Sequence, residues 1–196
     1  TVTALSQDGR WLAWSKDGVV WTRRVAADGT PATARRLAGP DSAAGDSASM
    51  AGAGRAASRA NERFTVVRWS PTGDALLLSN RQGLWLAPAD GGARTLVAAT
   101  GDSTAGPRYT LAGWSADGRH LYFTVSSRTE WARGISRFDR TRASMQSLVS
   151  DARLYSSVRV ARAGNVVLFA AASGNRPPEL HAADLDLQGE RPLTNV

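Results

Sequence analysis

The apolar positions of this chain fall into short alternating runs, each introduced by a tight polar turn. SQDGRWLAWS begins at Ser6, SPTGDALLLS at Ser70, SADGRHLYFT at Ser115 and ARAGNVVLFA at Ala161. Alternation with a period of two places side chains on opposite faces of a β-strand. The glycine in each turn supplies the positive φ that such turns require. Around every copy, further runs recur. The second unit reads FTVVRWS, ALLLSN, LWLAPA and ARTLV, with Asp90-Gly91-Gly92 as a hairpin turn. The third gives YTLAGWS, LYFTVSS, ISRFD and MQSLV; the fourth SSVRVA, VVLFAAAS, ELHAADLD and RPLT; the first TVTALS, WLAWS, VVWTRRVA and ARRLA. Helical periodicity is weak throughout.

Four strands per unit, repeated at roughly 40–45 residues, are the signature of a β-propeller. The expected fold is therefore all-β, with four-stranded antiparallel blades at about 1–38, 62–97, 108–149 and 155–194. The first interval is longer than the others because residues 39–61 intervene. This segment is nearly all Ala, Gly, Ser and Asp, too poor in apolar surface to offset its ordering entropy. It is expected to be a flexible insertion between blades. Trp11, Trp14, Trp21, Trp69, Trp85 and Trp114 fall on strands and are expected to fill the gaps between sheets. Trp131 falls in a loop. Within a blade the first-to-second and third-to-fourth strand turns leave from one end. The second-to-third loops and the connections between blades leave from the other. The longest loops, 39–62, 98–108, 126–134 and 173–178, all fall at that second end, where a partner or substrate is expected to bind.

Composition narrows the chemistry. With 42% hydrophobic residues the chain can bury a core, and with no Cys it has neither disulfides nor thiolate ligands. No run approaches the length of a membrane span. The net charge is +7, and every basic residue except Lys16 is arginine. Abundant Ala and Arg fit a GC-rich bacterial genome. The arginines are scattered, and their densest run, Arg128, Arg133, Arg137, Arg140 and Arg142, straddles a strand and turns. Nucleic acid is therefore not expected as a partner. The compartment stays open between bacterial cytoplasm and periplasm. The chain starts at Thr1 without a signal-peptide pattern, which suggests a processed product or a piece of a longer protein.

The phrase S-x-D-G-R-x-L-x-(F/W) resembles the WD40-like repeats of TolB-type proteins and of the prolyl oligopeptidase (S9) family of serine peptidases. In the last unit, Pro177, Pro178, Glu179 and Leu180, followed by Arg191, Leu193 and Thr194, resemble the closing blade of acylaminoacyl-peptidase and dipeptidyl-peptidase-like members. The resemblance implies part of a seven- or eight-bladed propeller, with a catalytic α/β-hydrolase domain expected after Val196. That domain would be this segment's partner and peptides its substrates, with the propeller gating access. The alternative is a TolB-like binding scaffold without chemistry. An open half-propeller would expose apolar blade faces, so a homo-oligomer is a further possibility, as is closure of four blades on themselves.

Candidate chemistry within these residues is sparse. No G-x-S-x-G elbow occurs, and Ser115 sits in a blade turn with Asp117 where the elbow needs Gly. His120 and His181 read as ordinary strand residues. Asp184 and Asp186 lack the spacing of a calcium loop. No catalytic residue, metal site or cofactor is assigned. The resemblance points to loop charges instead: Glu62 and Arg63 at the end of the insertion, and Glu130, Trp131 and Arg133 in a second-to-third strand loop. These five are the candidate substrate rim, a carboxylate there suiting an ammonium group and an arginine a carboxylate.

Overall fold

A computed structural model describes residues 2–28, 30, 32–40, 62–100, 106–127, 133–161, 165–174 and 176–195. Most of the 39–61 insertion, and Glu130 and Trp131, lie outside the described residues. Among those described there are sixteen strands and no helix. They are β1 (Val2–Leu5), β2 (Trp11–Lys16), β3 (Val19–Arg24), β4 (Arg35–Ala38), β5 (Thr65–Trp69), β6 (Ala75–Asn80), β7 (Gly83–Pro88), β8 (Thr95–Ala99), β9 (Arg108–Trp114), β10 (His120–Ser126), β11 (Arg133–Asp139), β12 (Ser144–Asp151), β13 (Leu154–Val160), β14 (Val167–Ala172), β15 (Glu179–Ala183) and β16 (Arg191–Pro192). They form four four-stranded sheets, each an antiparallel meander of consecutive strands, which is the blade of a β-propeller. The chain divides into two compact units, Thr1–Ala99 with the first two blades and Thr100–Val196 with the last two.

The repeated phrase has a local physical cause. Ser6 Oγ donates to Asp8 Oδ1 (2.6 Å) and accepts from the Trp11 amide (2.9 Å). Ser115 Oγ donates to Asp117 Oδ1 (2.5 Å) and accepts from the His120 amide (2.8 Å). In the second copy the carboxylate has moved two places, and Ser70 Oγ donates to Asp74 Oδ1 (2.7 Å) while accepting from Ala75 N (3.2 Å). Each hydroxyl is buried and clasps the turn to the first amide of the following strand. Gly9, Gly73 and Gly118 stand at φ +72°, +72° and +70°, where a side chain would be strained. The fourth copy has Ala161 instead of serine; among its described residues the backbone bond runs from Ala161 N to Val166 O (2.9 Å).

Packing runs from one blade to the next within each unit. In the first blade Ala13 pairs with Thr22 and Ser15 with Val20, so these four share a face, and all are buried. Against this face the second blade sets Val66, Trp69, Leu76, Leu78 and Ala87. Trp69 Nε1 donates to Ala4 O (3.0 Å), and Thr22 Oγ1 to Ala89 O (3.1 Å), each bond crossing between blades. In the second unit Tyr122 and Ile135 meet Val167, Phe169, Ala171 and Ala183 of the last blade. The repeat register is kept: Ala13 and Tyr122 occupy one position of the phrase, and Leu76 and Val167 another. Within each unit the first blade thus has a face covered by the second, and the second a face that covers the first.

The tryptophans divide accordingly. Trp69 and Trp114 are buried, while Trp11 and Trp85 pack partly buried against the first core. Trp14 and Trp21 pair across β2 and β3 on the other face of the first blade and are only half-buried. Arg23 lies over the Trp14 ring, 5.7 Å from its centroid. These two, expected to fill gaps between sheets, face away from the first core.

Replacing Ser115 with Ala should cost about 1–3 kcal/mol, since it strips the clasp from a buried turn amide. Phe169→Ala should cost about 3–5 kcal/mol through cavity formation. Urea unfolding of the two variants tests both figures.

Candidate functional site

Glu62 and Arg63 arrive at the end of the insertion, just before β5, and their side chains part. Glu62 lines a cavity of about 300 Å³ with Arg36, Leu37, Ala38, Gly39, Phe64 and Arg94. Two guanidinium groups therefore share a pocket with one carboxylate. Both are already anchored: Arg94 donates to Leu37 O (3.2 Å) and lies 5.1 Å from the Phe64 ring centroid. Arg36 donates to Gly39 O (2.7 Å) and to Pro40 O. Such anchoring fixes the position of each guanidinium in the pocket. Arg63 instead lies over the β2–β3 turn, where its stem fills the space a Cβ on Gly18 would need, at 2.7 Å. Phe64 N bonds to Gly18 O beside it (2.8 Å).

Arg133 belongs to the second unit. It is the first residue of β11, paired with Ser126 and Asp151, and so sits in a strand where the sequence suggested a loop. Glu130 and Trp131 lie outside the described residues. The structure brings Glu62 together with Arg36 and Arg94, two residues the sequence reading did not single out. Nothing in their local sequence marks them, because the pocket is made by β4, the approach to β5 and the approach to β8 together.

At the opposite end of the first unit a second cavity, of about 290 Å³, is lined by Arg10, Trp11, Arg24, Thr72, Gly73, Asp74, Ala89 and Asp90. Its charges are largely spent on the turns. Arg10 Nε pairs with Asp8 Oδ2 at 2.6 Å, and Asp8 occupies the space of a Gly73 side chain.

The central arginines of the second unit act as staples between blades. Arg137 pairs with Asp186 (2.6 Å) and donates to Leu185 O (3.1 Å), which also accepts from Tyr122 Oη (3.0 Å). Arg153 makes a bidentate pair with Glu190 (2.6 and 3.2 Å) and bonds Asp151 (3.0 Å). Tyr155 Oη donates to Asp151 (2.8 Å). His181 stacks on Phe169 with ring centroids 5.5 Å apart. Its Nδ1 is 2.9 Å from Glu190 Oε1, off the line of a hydrogen bond. Ser115 donates to Asp117 rather than to an imidazole, which leaves it no base for nucleophilic attack.

Carboxyl groups at the turns are held ionised. The Ser115 hydroxyl, with the Arg119 amide, holds Asp117 below the usual carboxylate range. The Ser6 hydroxyl does the same for Asp8, against the opposing effect of burial. Arg119 holds Asp139 lowest, aided by the Thr141 and Arg142 amides. Burial pushes the His120 imidazole down, and the nearby Arg137 charge adds to it, although Asp139 lies 3.6 Å away.

No protein-family model matches the chain, and no curated protein does. Solved structures do. A prolyl endopeptidase structure aligns over 100% of this chain and 28% of its own, at 13% identity and a TM-score of 0.62. A puromycin-hydrolysing peptidase from Mycobacterium tuberculosis aligns over 98% of this chain and 28% of its own, at 14% identity and TM-score 0.59. A TolB candidate from Agrobacterium tumefaciens aligns over 100% of this chain and 61% of its own, at 15% identity and TM-score 0.58. At such identities the likeness speaks for the fold, a β-propeller. The chain spans less than two thirds of each of these proteins.

Stability should fall in two steps on acidification. The depressed His120 favours the neutral form in the fold, so its contribution is full above about pH 6.5 and declines as the pH drops from there toward its folded value. Asp8, Asp117 and Asp139 contribute fully above about pH 3.9 and lose that contribution as the pH falls through their lowered values. Urea midpoints measured from pH 8 to 2 should show both steps, and His120→Gln should remove the upper one alone.

Proposed function

We propose that this chain is the propeller segment of a prolyl-oligopeptidase-type serine peptidase, gating access of peptides to a hydrolase domain in the same protein. The observation that carries the reading is the last blade. Pro177-Pro178 leads directly into β15 at Glu179-Leu180, on a meander whose fold is that of the peptidase propellers. The chemistry would be acyl transfer by a serine of the hydrolase domain. This chain would supply the approach: Glu62 for a substrate's ammonium group, with Arg63, Arg133, Glu130 and Trp131 as the further rim candidates. The pocket of Arg36, Glu62 and Arg94 supports a role in reading charged peptide ends. A second reading, a binding scaffold without chemistry, is favoured by the likeness to the TolB candidate, of which the chain covers the larger share.

A fluorophosphonate probe applied to the native full-length polypeptide separates the two. A labelled band larger than 20.7 kDa supports the peptidase, and an unlabelled one supports the scaffold. In a labelled enzyme, Glu62→Ala and Arg133→Ala should each lower kcat/KM for charged peptides about tenfold while leaving probe labelling intact. Unchanged kinetics in both would remove these residues from the rim.

A further inference from the structure

The cavity beside Trp11 and Asp90 becomes intelligible from the second unit, where the matching positions of the repeat close on one another. Strand register gives the matches. Trp11 pairs with Arg24 as His120 pairs with Asp139, and Ala13 with Thr22 as Tyr122 with Arg137. In the following blade Leu76 pairs with Ala87 as Val167 pairs with Ala183, so Ala89 and Asp90 match Leu185 and Asp186. The same carbonyl is used in both units: Thr22 Oγ1 donates to Ala89 O, and Tyr122 Oη and Arg137 donate to Leu185 O.

In the second unit Asp139 pairs with Arg119 (2.8 Å), Asp186 pairs with Arg137 (2.6 Å), and Leu185 packs against the core. Each closure is undone in the first unit by one residue. Arg24 stands at the place of Asp139, so the strand beside Arg10 carries a second guanidinium, and Arg10 turns to Asp8 instead (2.6 Å). Thr22 stands at the place of Arg137 and spends its hydroxyl on Ala89 O, which leaves Asp90 without the cation that Asp186 has. Ala89 in place of Leu185 withdraws a large side chain. What these exchanges leave is a cavity of about 290 Å³, with Arg24, Trp11 and Asp90 on its walls. Among the described residues neither the Arg24 guanidinium nor the Asp90 carboxylate makes an ion pair or a side-chain hydrogen bond, and they do not pair with each other.

We propose that this cavity binds a small zwitterion of the α-amino-acid class, with its carboxylate on Arg24, its ammonium on Asp90 and an apolar side chain against the Trp11 indole. The charges select the class. A simple anion would meet Asp90, and a simple cation would meet Arg10 and Arg24, whereas a molecule with both charges satisfies both free groups. A guanidinium matches a carboxylate with two parallel bonds, and a carboxylate accepts charge-assisted bonds from an ammonium. The indole supplies the apolar wall that ligand sites combine with a few polar groups, and the volume lies at the lower end of such sites, about 300 Å³. Arg24 and Asp90 are both exposed, so each contact is made partly in water and the site is a weak one. The inference stands apart from the peptidase reading, since the cavity lies at the end of the unit opposite the candidate rim, and it holds equally for a binding scaffold.

The test is fluorine NMR of the native full-length polypeptide carrying 5-fluorotryptophan, with the Trp11 resonance assigned by its loss in Trp11→Phe. Titration with L-phenylalanine should shift that resonance to saturation with a Kd of about 1 mM or tighter. N-acetyl-L-phenylalanine lacks the ammonium and L-phenylalanine amide lacks the carboxylate. Each should bind at least about tenfold more weakly, the worth of one charge-assisted hydrogen bond. Asp90→Asn and Arg24→Gln should weaken L-phenylalanine by a similar factor. Each variant should also lose one discrimination: Asp90→Asn between L-phenylalanine and its N-acetyl form, Arg24→Gln between L-phenylalanine and its amide. A merely structural role for either residue would leave those ratios intact, and urea midpoints check that the fold is kept. No shift of the Trp11 resonance up to about 10 mM, equal binding of the three compounds, or variants that bind and discriminate as the parent does would overturn the proposal.

Discussion

A four-stranded meander has two apolar faces and cannot bury either by itself. That requirement governs the rest of this chain. It explains why β6 carries leucine at three successive positions, since both of its sides are buried, and why β2 alternates, burying Ala13 and Ser15 while its tryptophan side is left half-open. It also decides where polar groups can go. Thr22 and Tyr122 reach into the packing between blades only because each finds a carbonyl there, Ala89 O and Leu185 O, and a hydroxyl without such a partner would be costly.

Arginine fills a second structural niche. A chain with a single lysine has built its links between blades from guanidinium groups. Arg153 grips Glu190 with two parallel bonds and still reaches Asp151, and Arg137 spans Asp186, a backbone carbonyl and Gln146. A lysine has one nitrogen and could not hold these partners together. The positive charge that invites a nucleic-acid reading is thus partly consumed in holding one blade to the next.

Much of this was legible in the sequence, for a physical reason: the blade is specified locally. The Ser-x-Asp-Gly turn is closed by bonds between residues two to five apart, so it survives as readable text, as at Ser6, Ser70 and Ser115. The strand alternation follows from it. The pocket around Glu62 was not legible, because Arg36 and Arg94 come from separate strands and nothing near either residue announces the other. Arg133 was placed in a loop because its surroundings are polar, yet β11 begins there through backbone pairing with Ser126 and Asp151, which polarity does not oppose. Trp14 reads as core on its alternation alone, yet it and Trp21, its partner across β2 and β3, are only half-buried.

The pairing pattern has a consequence for how the chain folds. Every strand pairs with the one before it or after it in sequence, so no sheet waits for a distant segment to arrive. Loop closure is short at each step, which places hairpin formation early and on the microsecond scale. The slow events are then the dockings of one finished meander onto the next. The fourth meander, whose first turn lacks the serine hydroxyl, enters that last step with the least help from its own sequence.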